Sequence, residues 1–158
     1  MNEVLSSALV LLAKPRPEIT VKEELDPNLP EVPCDREQMR RVFVNVIGNS
    51  LDAMAGGGEL KVQSMPFEEG GRKGVLIKIE DSGGGIDEEH MKNVFTPYFT
   101  TKEKGTGLGL AIVHRIVTEH GGRIEVESRK GKGTSVSVIL LEGAKGAAAT
   151  QGAGETGI

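Results

Sequence analysis

The spacing of hydrophobic and polar positions along the chain predicts alternating helices and strands. Helices are predicted at residues 1–13, 35–54, 87–93 and 107–120. Strands are predicted at residues 18–25, 59–65, 74–81, 123–129 and 134–141. This order indicates an α+β fold: a two-layer α/β sandwich with a mixed five-stranded sheet and about three helices on one face.

Capping residues and glycines predict where these elements begin and end. Asp35 is suited to cap the second helix, with Gln38 at capping-box spacing, and the glycines at 56–58 stop that helix. The turn-rich stretch 68–74 separates two strands. Residues 95–106 show no clean period, so we expect a long loop there.

Composition narrows the class of protein. The chain has 158 residues, enough for one domain with a real core, and 37% of them are hydrophobic. It carries 19 basic and 23 acidic residues, a formal charge of −4, and only 3% aromatic residues. A nucleic-acid partner is therefore not expected. The single cysteine, Cys34, excludes an internal disulfide, and three scattered histidines with one cysteine offer no zinc site.

No segment of the sequence predicts a membrane span. The longest apolar run covers residues 8–13, far short of the roughly 20 residues that a spanning helix needs. The chain also opens with no signal-peptide pattern. We therefore expect a cytoplasmic domain, although the parent protein could be membrane-anchored. Ten of the last sixteen residues, 143–158, are Gly or Ala, which predicts a flexible tail.

The helix at 35–54 carries a narrow polar stripe through an apolar surface. Asn45, Asn49 and Asp52 stand at i, i+4 and i+7, so they share one face. One interpretation is a solvated seam, or amides satisfied by neighbouring backbone groups. The other is that the amide oxygens face a magnesium ion and phosphates, for which hard oxygen ligands are suited.

A second candidate lies at the end of the strand 74–81. Asp81 has the same parity as Ile77 and Ile79, so its carboxylate points toward the core, where it needs a partner. A ligand amino group with ordered water would serve, and the glycines at 83–85 would let that ligand approach. Alternatively, Asp81 caps its own turn. Thr134 also faces inward and could share a water with Asp81.

A glycine-rich segment at residues 104–111 runs directly into the helix 107–120. The free N–H groups and positive dipole end of such a helix favour an anion. The segment matches neither the P-loop pattern nor the dinucleotide fingerprint. Protein-kinase motifs are also missing from the sequence.

Five motifs, in order, resemble those of the catalytic ATP-binding domain of two-component sensor histidine kinases. The resemblance covers roughly residues 1–142. The motifs are the N box at Asn45 and Asn49, the glycine boxes at 81–86, 105–110 and 131–134, and the F box at 95–99.

The resemblance implies a site for ATP and Mg²⁺. Asp81 would accept a hydrogen bond from the adenine amino group, and Gly83 and Gly85 would let the base come close. Asn49 would be the magnesium ligand, and Asn45 would lie near the phosphates. The expected catalytic residues are Asn45, Asn49 and Lys102. The expected nucleotide-binding residues are Asn45, Asn49, Asp52, Asp81, Gly83, Gly85, Ile86, Tyr98, Thr101, Lys102, Gly105, Thr106, Gly107, Leu108, Gly109, Leu110 and Thr134.

The resemblance also implies a division of the chain and a partner. Residues 1–16 would be a linker helix from a missing dimerisation and phosphoacceptor domain, and residues 17–142 the catalytic domain, itself monomeric. Residues 95–106 would form a lid over ATP, with Lys102 reaching the terminal phosphates. The γ-phosphate would pass to a histidine on the dimerisation domain, and a response regulator would be an indirect partner. The three histidines of this chain lack the acceptor setting.

Three alternatives stay open at this point. A gyrase, chaperone or mismatch-repair ATPase resembles the same pattern, but carries a glutamate in place of Asn45 to activate water. An amide cannot act as that base. A serine-phosphorylating anti-sigma-factor relative is disfavoured by the F box. A non-enzymatic adenine-nucleotide-binding regulatory module fits the same residues.

Overall fold

The computed structural model describes residues 1–12, 16–100, 105, 107 and 109–143. The helices are α1 (Asn2–Leu11), α2 (Arg36–Ala53), α3 (Glu88–Met91) and α4 (Gly109–Glu119). The strands are β1 (Ile19–Leu25), β2 (Gly58–Glu69), β3 (Arg72–Asp81), β4 (Arg123–Arg129) and β5 (Gly133–Leu141). The expected tail at 143–158 lies almost wholly outside the described residues, of which Gly143 is the last.

The five strands form one sheet in the order β1-β2-β3-β5-β4. β1 pairs with β2 in parallel, and every other pair is antiparallel. The predicted mixed five-stranded sheet is therefore confirmed. The register places Asp81 at the end of β3 directly opposite Thr134 at the start of β5.

Alternation along the strands gives the sheet one apolar and one polar face. On β3, Val75, Ile77 and Ile79 are fully buried, whereas Lys78 and Glu80 on the opposite face form an ion pair with each other. Further ion pairs cross the polar face, among them Lys22 with Glu59. Because the helices cover only the apolar face, the fold has the two predicted layers.

α2 is the central helix of that covering layer. It contacts α1 on one side, α4 on the other, and β3 beneath. Met39, Val42, Phe43, Val46 and Ile47 are all buried in the core. Burial of each large apolar side chain contributes roughly 1.5–3 kcal/mol to the free energy of unfolding. Packing of these side chains in the core is therefore the main source of the stability of α2.

α1 belongs to the same core. Its residues Val4, Leu5 and Ala8 are buried and pack with the side chains of α2. The helix ends at Leu11, two residues earlier than the pattern predicts. Its role as a linker from another domain stays a prediction. In the described part of the chain, none of the helices has the length and hydrophobicity needed to span a membrane.

The start of α2 is held by two different interactions. The Asp35 carboxylate accepts a hydrogen bond from the Gln38 N–H at 3.1 Å, as the sequence predicts for an N-cap. The Asp35 N–H donates to Nε2 of His120, also at 3.1 Å, and Nδ1 of this buried histidine donates to the Ile116 carbonyl at 2.7 Å. The neutral imidazole therefore joins the end of α4 to the start of α2.

The hairpin between β2 and β3 is longer than predicted. The strands run to Glu69 and from Arg72, so the turn is confined to Gly70 and Gly71 rather than spread over 68–74. Both glycines have positive φ values, 59° and 75°. A two-residue turn with positive φ at both positions matches the right-handed twist of the paired strands, so the cross-strand pairing of β2 with β3 continues up to the turn.

We expect His120→Ala to lower the free energy of unfolding by about 1–3 kcal/mol, because it leaves the Asp35 N–H without its partner, removes one of the two hydrogen bonds to the Ile116 carbonyl, and opens a cavity. Urea unfolding monitored by circular dichroism measures the change. His114 lies on the exposed side of α4. His114→Ala is therefore the control and should lower the free energy of unfolding by less than about 1 kcal/mol. Equal losses in the two variants would contradict the bridging role of His120.

Candidate functional site

The asparagines of α2 lie against the first residue of α4. The amide nitrogen of Asn45 donates to the Arg41 carbonyl at 2.8 Å, so this group is satisfied within its own helix. A Cβ atom placed on Gly109 would lie 3.4 Å from Oδ1 of Asn45 and 3.6 Å from Nδ2 of Asn49. The N-box asparagines and the second glycine motif, about 60 residues apart in sequence, therefore meet in the fold.

Asp52 lies further along the polar stripe of α2. Asn45 and Asn49 are half-buried, whereas Asp52 is exposed. The stripe thus runs from the junction with α4 out toward solvent. Leu110, in the first turn of α4, is half-buried like the two asparagines.

The Asp81 side chain is only 8% exposed and occupies the end of β3. Burial raises the pKa of this carboxyl, while hydrogen bonds from the Gly83 N–H, the Ser50 hydroxyl and the Thr134 N–H oppose the rise. The Gly83 N–H lies 2.9 Å from Oδ1 of Asp81. The carboxylate therefore does cap its own turn, as the simpler interpretation of the sequence predicts, and still faces the interior.

Ser50 is a site residue that the sequence analysis did not single out. It lies on α2 next to Asn49, is 3% exposed, and lies close enough to Asp81 to lower the pKa of that carboxyl. A polar signal was present, because Ser50 falls four residues after Val46 on the buried face of the helix. The helical pattern does not indicate which group of the sheet the Ser50 hydroxyl faces.

The glycines after Asp81 are required by close packing of the chain itself. A Cβ on Gly83 would lie 2.6 Å from the Ala53 carbonyl at the end of α2. Gly85 has a φ of 69° and leaves no room for a Cβ beside the Arg129 carbonyl. These glycines therefore hold the loop against α2 and the β4–β5 hairpin. Their role in admitting an adenine base stays a prediction.

Ser128 joins the first and third glycine motifs. Its hydroxyl oxygen accepts from the Ile86 N–H at 2.7 Å and donates to the Gly133 carbonyl at 3.0 Å. The same oxygen lies 2.8 Å from Oγ1 of Thr134. The Thr134 hydroxyl thus contacts a neighbouring serine, and Thr134 pairs with Asp81 across the β3–β5 ladder. Ser128 was also missed in the sequence, where it is one of several strand serines.

The F box packs against the second glycine motif through its backbone. Tyr98 has a φ of 65°, unusual for a large side chain, and is 77% exposed. Gly107, at a φ of 70°, leaves no room for a Cβ, which would lie 2.6 Å from the Phe99 carbonyl oxygen. The rings of Phe95 and His114 are 5.0 Å apart. The base of the predicted lid is therefore held against the helix layer.

Four of the predicted site residues lie outside the described part of the chain: Thr101, Lys102, Thr106 and Leu108. Gly105 and Gly107 are described and are half-buried. The roles assigned to all these residues from the sequence stay predictions.

The amide oxygens at the junction of α2 with α4 suit a magnesium ion that also binds phosphates. Among the residues that the structure describes, there is no cluster of three or more His, Cys, Asp or Glu side chains able to hold a metal. Amide oxygens of Asn45 and Asn49 are hard ligands, and Mg²⁺ commonly takes few protein ligands together with phosphate and water. The hydrogen bond from Asn45 Nδ2 to Arg41 directs its Oδ1 elsewhere, toward Gly109.

A concave region of about 530 Å³ lies at the same end of the sheet. It borders Asp81 and Thr134, but charged side chains of the polar face, such as Glu80, Glu127 and Lys132, form much of its lining. None of its lining residues comes from α2 or α4. The concavity therefore shares the Asp81–Thr134 end of the candidate site but not the junction of α2 with α4.

Comparison with known proteins agrees with the order of the motifs. A family model described as "Histidine kinase-, DNA gyrase B-, and HSP90-like ATPase" matches residues 34–144. Sensor histidine kinase ZraS of Escherichia coli strain K12 is 39% identical over 142 residues, which are 89% of this chain and 30% of that protein. Sporulation kinase E of Bacillus subtilis strain 168 is 36% identical over 122 residues, 77% of this chain and 16% of that protein. The chain thus spans less than a third of the length of these relatives.

Solved structures share the fold over nearly the whole domain. The mycobacterial sensor histidine kinase MprB has a TM-score of 0.78 and 28% identity, covering 89% of this chain and 93% of that chain. A nucleotide-free catalytic domain of histidine kinase ThkA has a TM-score of 0.77 and 31% identity, covering 89% of this chain and 93% of that chain.

We expect the carboxyls of Asp81 and Asp87 to titrate on opposite sides of 3.8, the ordinary value for both. Burial raises the pKa of Asp81, and the His90 N–H lowers the pKa of Asp87. Ionised Asp87 therefore stabilises the fold above 3.8 and loses this effect as pH falls through its folded pKa.

The contribution of Asp81 has the opposite sign: its stabilisation is present below 3.8 and is lost as pH rises through its folded pKa. Carboxyl ¹³C NMR titration, with Asp81→Asn and Asp87→Asn to assign the signals, measures both. A lower pKa for Asp81 than for Asp87 would contradict the described burial.

Proposed function

The chain belongs to the histidine kinase-, DNA gyrase B- and HSP90-like ATPase family, and we propose that it binds ATP with Mg²⁺ and donates the γ-phosphate to a histidine of a separate dimerisation domain. The observation that carries this proposal is the junction of Asn45 and Asn49 with the start of α4, on a helix that also packs against β3, the strand that ends in the buried Asp81. One helix thus connects a polar junction suited to phosphates with a buried acid suited to a base.

The buried acid is suited to the adenine end of the nucleotide. The Gly83 N–H donates to the Asp81 carboxylate at 2.9 Å, yet burial still raises the pKa of this carboxyl, so its ionised form would gain from a further donor. An exocyclic amino group is such a donor. A carboxylate at this position favours adenine over guanine, because the 6-oxo group of guanine would face a second acceptor.

The start of α4 is suited to the phosphate end. Its first residues have N–H groups without helical partners, and the helix dipole favours negative charge there. Asn49, and Asn45 beside it, would hold Mg²⁺ through their amide oxygens. The ion, when bound, would neutralise part of the phosphate charge. Lys102 would add a positive charge to the terminal phosphates, and Tyr98, Thr101, Thr106 and Leu108 would line the lid.

Transfer of the γ-phosphoryl group needs an acceptor from outside the described residues. His120 has both ring nitrogens bound to backbone groups, and His90 lies against Asp87 and Phe99. His114 packs on Phe95. In the proposed reaction, the bond from the γ-phosphorus to its bridging oxygen breaks as a bond to the acceptor nitrogen forms, and ADP leaves. The protein contributes positioning and electrostatic stabilisation.

The amide of Asn45 favours phosphoryl transfer over ATP hydrolysis. Its amide nitrogen is committed to the Arg41 carbonyl, and an amide has no basic group that could take a proton from water. We therefore propose transfer to histidine rather than rapid ATP hydrolysis. Because ATP is a cytoplasmic substrate, we also propose that this domain acts in the cytoplasm and that a response regulator receives the phosphoryl group next.

We expect Asp81→Asn to weaken ADP binding by roughly tenfold to a hundredfold, because it removes a charged hydrogen bond of about 1.5–3 kcal/mol. Isothermal titration calorimetry measures the dissociation constant, and circular dichroism checks the fold. Glu80→Gln, one residue away on the polar face, is the matched control and should change affinity by less than about twofold. Unchanged affinity in Asp81→Asn would remove Asp81 from the adenine role.

The phosphotransfer reaction tests the whole proposal. The chain, incubated with γ-labelled ATP and Mg²⁺, should label an added dimerisation domain from a sensor histidine kinase. It should label itself poorly, because both ring nitrogens of His120 are hydrogen-bonded and His90 and His114 lack the acceptor setting. Asn49→Ala should lower transfer by at least about a hundredfold, of the order seen on losing one electrostatic contact to a reacting group.

The alternatives predict different outcomes in the same assay. ATP binding without transfer to the added domain would favour a regulatory nucleotide-binding module. Rapid release of inorganic phosphate without the acceptor would favour a gyrase-type or mismatch-repair-type ATPase.

A further inference from the structure

A row of polar side chains crosses the sheet at the end where β3 stops. Ser128 of β4 pairs with Thr134 of β5, and Thr134 pairs with Asp81 of β3. Residues directly opposite one another in an antiparallel sheet have their side chains on the same face. The two hydroxyls and the carboxylate therefore stand side by side on the inward face of the sheet, with Thr134 in the middle.

The Ser128 hydroxyl has a single proton to share among its hydrogen bonds. The Ile86 N–H donates to its oxygen at 2.7 Å, and the Gly133 carbonyl, which can only accept, lies 3.0 Å away. A further contact, at 2.8 Å, is with Oγ1 of Thr134. Because the Ser128 proton is directed to the Gly133 carbonyl, Thr134 is the donor in its contact with Ser128.

Backbone contacts hold Ser128 and its acceptor in place. The Gly131 N–H, in the turn between β4 and β5, donates to the Gly84 carbonyl at 2.7 Å and so ties this turn to the loop after β3. Gly133 has a φ of 92°, and a Cβ atom there would overlap the carbonyl oxygen of Asp81. The Gly133 carbonyl therefore has a fixed position, which fixes the direction of the Ser128 proton.

This proton count leaves the Thr134 side-chain oxygen as an acceptor only. Its single proton points to Ser128, so lone pairs are what it offers on the side of Asp81. The ionised Asp81 carboxylate also only accepts. A ligand group that meets both side chains must therefore be a donor. The same holds for a ligand group that meets them through a water, because that water donates one proton to each side chain.

We propose that Ser128 is a positioning residue for base recognition: by accepting a hydrogen bond from Thr134, its hydroxyl keeps Thr134 an acceptor, so that the site favours a 6-amino purine over a 6-oxo purine. This inference rests on the proposed function, because it requires Asp81 to face the base. It assigns a role to a strand residue that lies outside the five sequence motifs.

A purely structural role for Ser128 makes a different prediction. Loss of the hydroxyl would then loosen the hairpin of β4 and β5 and weaken every nucleotide by the same factor. If Ser128 instead directs the Thr134 proton, its loss frees that proton to meet a 6-oxo group, so ADP binding weakens and inosine diphosphate binding strengthens. The ratio of the two dissociation constants therefore separates the two roles.

The experiment measures binding of ADP and of inosine diphosphate by isothermal titration calorimetry, and circular dichroism checks the fold of each variant. The two ligands share the ribose and the diphosphate, so the ratio of their affinities reports on the base. We expect the wild-type chain to prefer ADP, and Ser128→Ala to lower this preference by about threefold to tenfold, the effect of one hydrogen bond. Ser128→Thr, which keeps the hydroxyl, should retain the preference.

Thr134→Val tests the same inference with Ser128 in place. It replaces the hydroxyl by a methyl group of similar size and should also lower the preference for ADP. Adding Ser128→Ala to Thr134→Val should then change the preference by less than about twofold, because Ser128 acts through the Thr134 hydroxyl. A further fall of the preference in the double variant, as large as in Ser128→Ala alone, would overturn the inference.

Ser64→Ala is the matched control. The Ser64 hydroxyl accepts from the Asp26 N–H at 3.2 Å and donates to Oδ1 of Asn2 at 2.7 Å, so it too joins a backbone donor to an oxygen acceptor. Ser64 lies on β2 opposite Ile77, away from the end of β3 that carries Asp81. Its loss should leave the preference at the wild-type value, and an equal fall in Ser64→Ala and Ser128→Ala would contradict a specific role of Ser128.

The outcomes distinguish this inference from the proposed function. If the wild-type chain binds neither nucleotide, or if Asp81→Asn keeps the preference for ADP, the adenine role of Asp81 fails and the inference fails with it. If Asp81→Asn abolishes the preference while Ser128→Ala or Thr134→Val retains it, the role of Ser128 alone is overturned.

Discussion

Burial of the Asp81 carboxylate is the constraint on which the candidate site depends. An acid at the end of a strand whose other inward residues are apolar must be hydrogen-bonded, or it destabilises the fold. The protein meets this demand with the Gly83 N–H from the turn after β3, and Ser50 of α2 and Thr134 of β5 also lower the pKa of the carboxyl. These donors can only converge if the helix, the turn and the hairpin keep fixed positions. Satisfying this one carboxylate therefore constrains three elements relative to one another. Because burial raises the pKa of Asp81, a donor from a bound ligand would stabilise the ionised form further.

α2 connects the phosphate end and the base end of the proposed site, because one side of the helix is apolar and an adjacent side is polar. One side is buried in the core through Phe43, Val46 and Ile47, and this fixes the helix in depth and rotation. An adjacent side places Asn49 at the start of α4 and Ser50 near Asp81. The neutral His120 imidazole holds the N-terminal end of the same helix to the C-terminal end of α4. Core packing therefore sets the distance between the acid and the amides, as precise positioning of a substrate requires.

Most of the secondary structure could be predicted, because local patterns determine it. β4 begins and ends at the predicted residues, and β1 and α2 differ by about one. The Asp35 cap was also predicted, since it acts within one helical turn. The prediction was wrong for the turn-rich stretch 68–74, because cross-strand pairing extends both strands as far as Gly70 and Gly71. Helix and strand ends respond to such tertiary contacts more than their centres do.

The sequence by itself determined the candidate acid, the asparagine stripe and the glycine-rich segment, because side-chain parity, helical periodicity and loop chemistry are encoded in short stretches. It also determined the resemblance to histidine kinase catalytic domains, which the family match bears out. Only the tertiary structure decided that Ser50 lies near Asp81, that Ser128 joins Ile86 to Gly133, and that His120 meets Asp35. The physical reason is that a polar side chain in the core takes whichever partner the packing brings within hydrogen-bond distance, and for Asp35 that partner is 85 positions away.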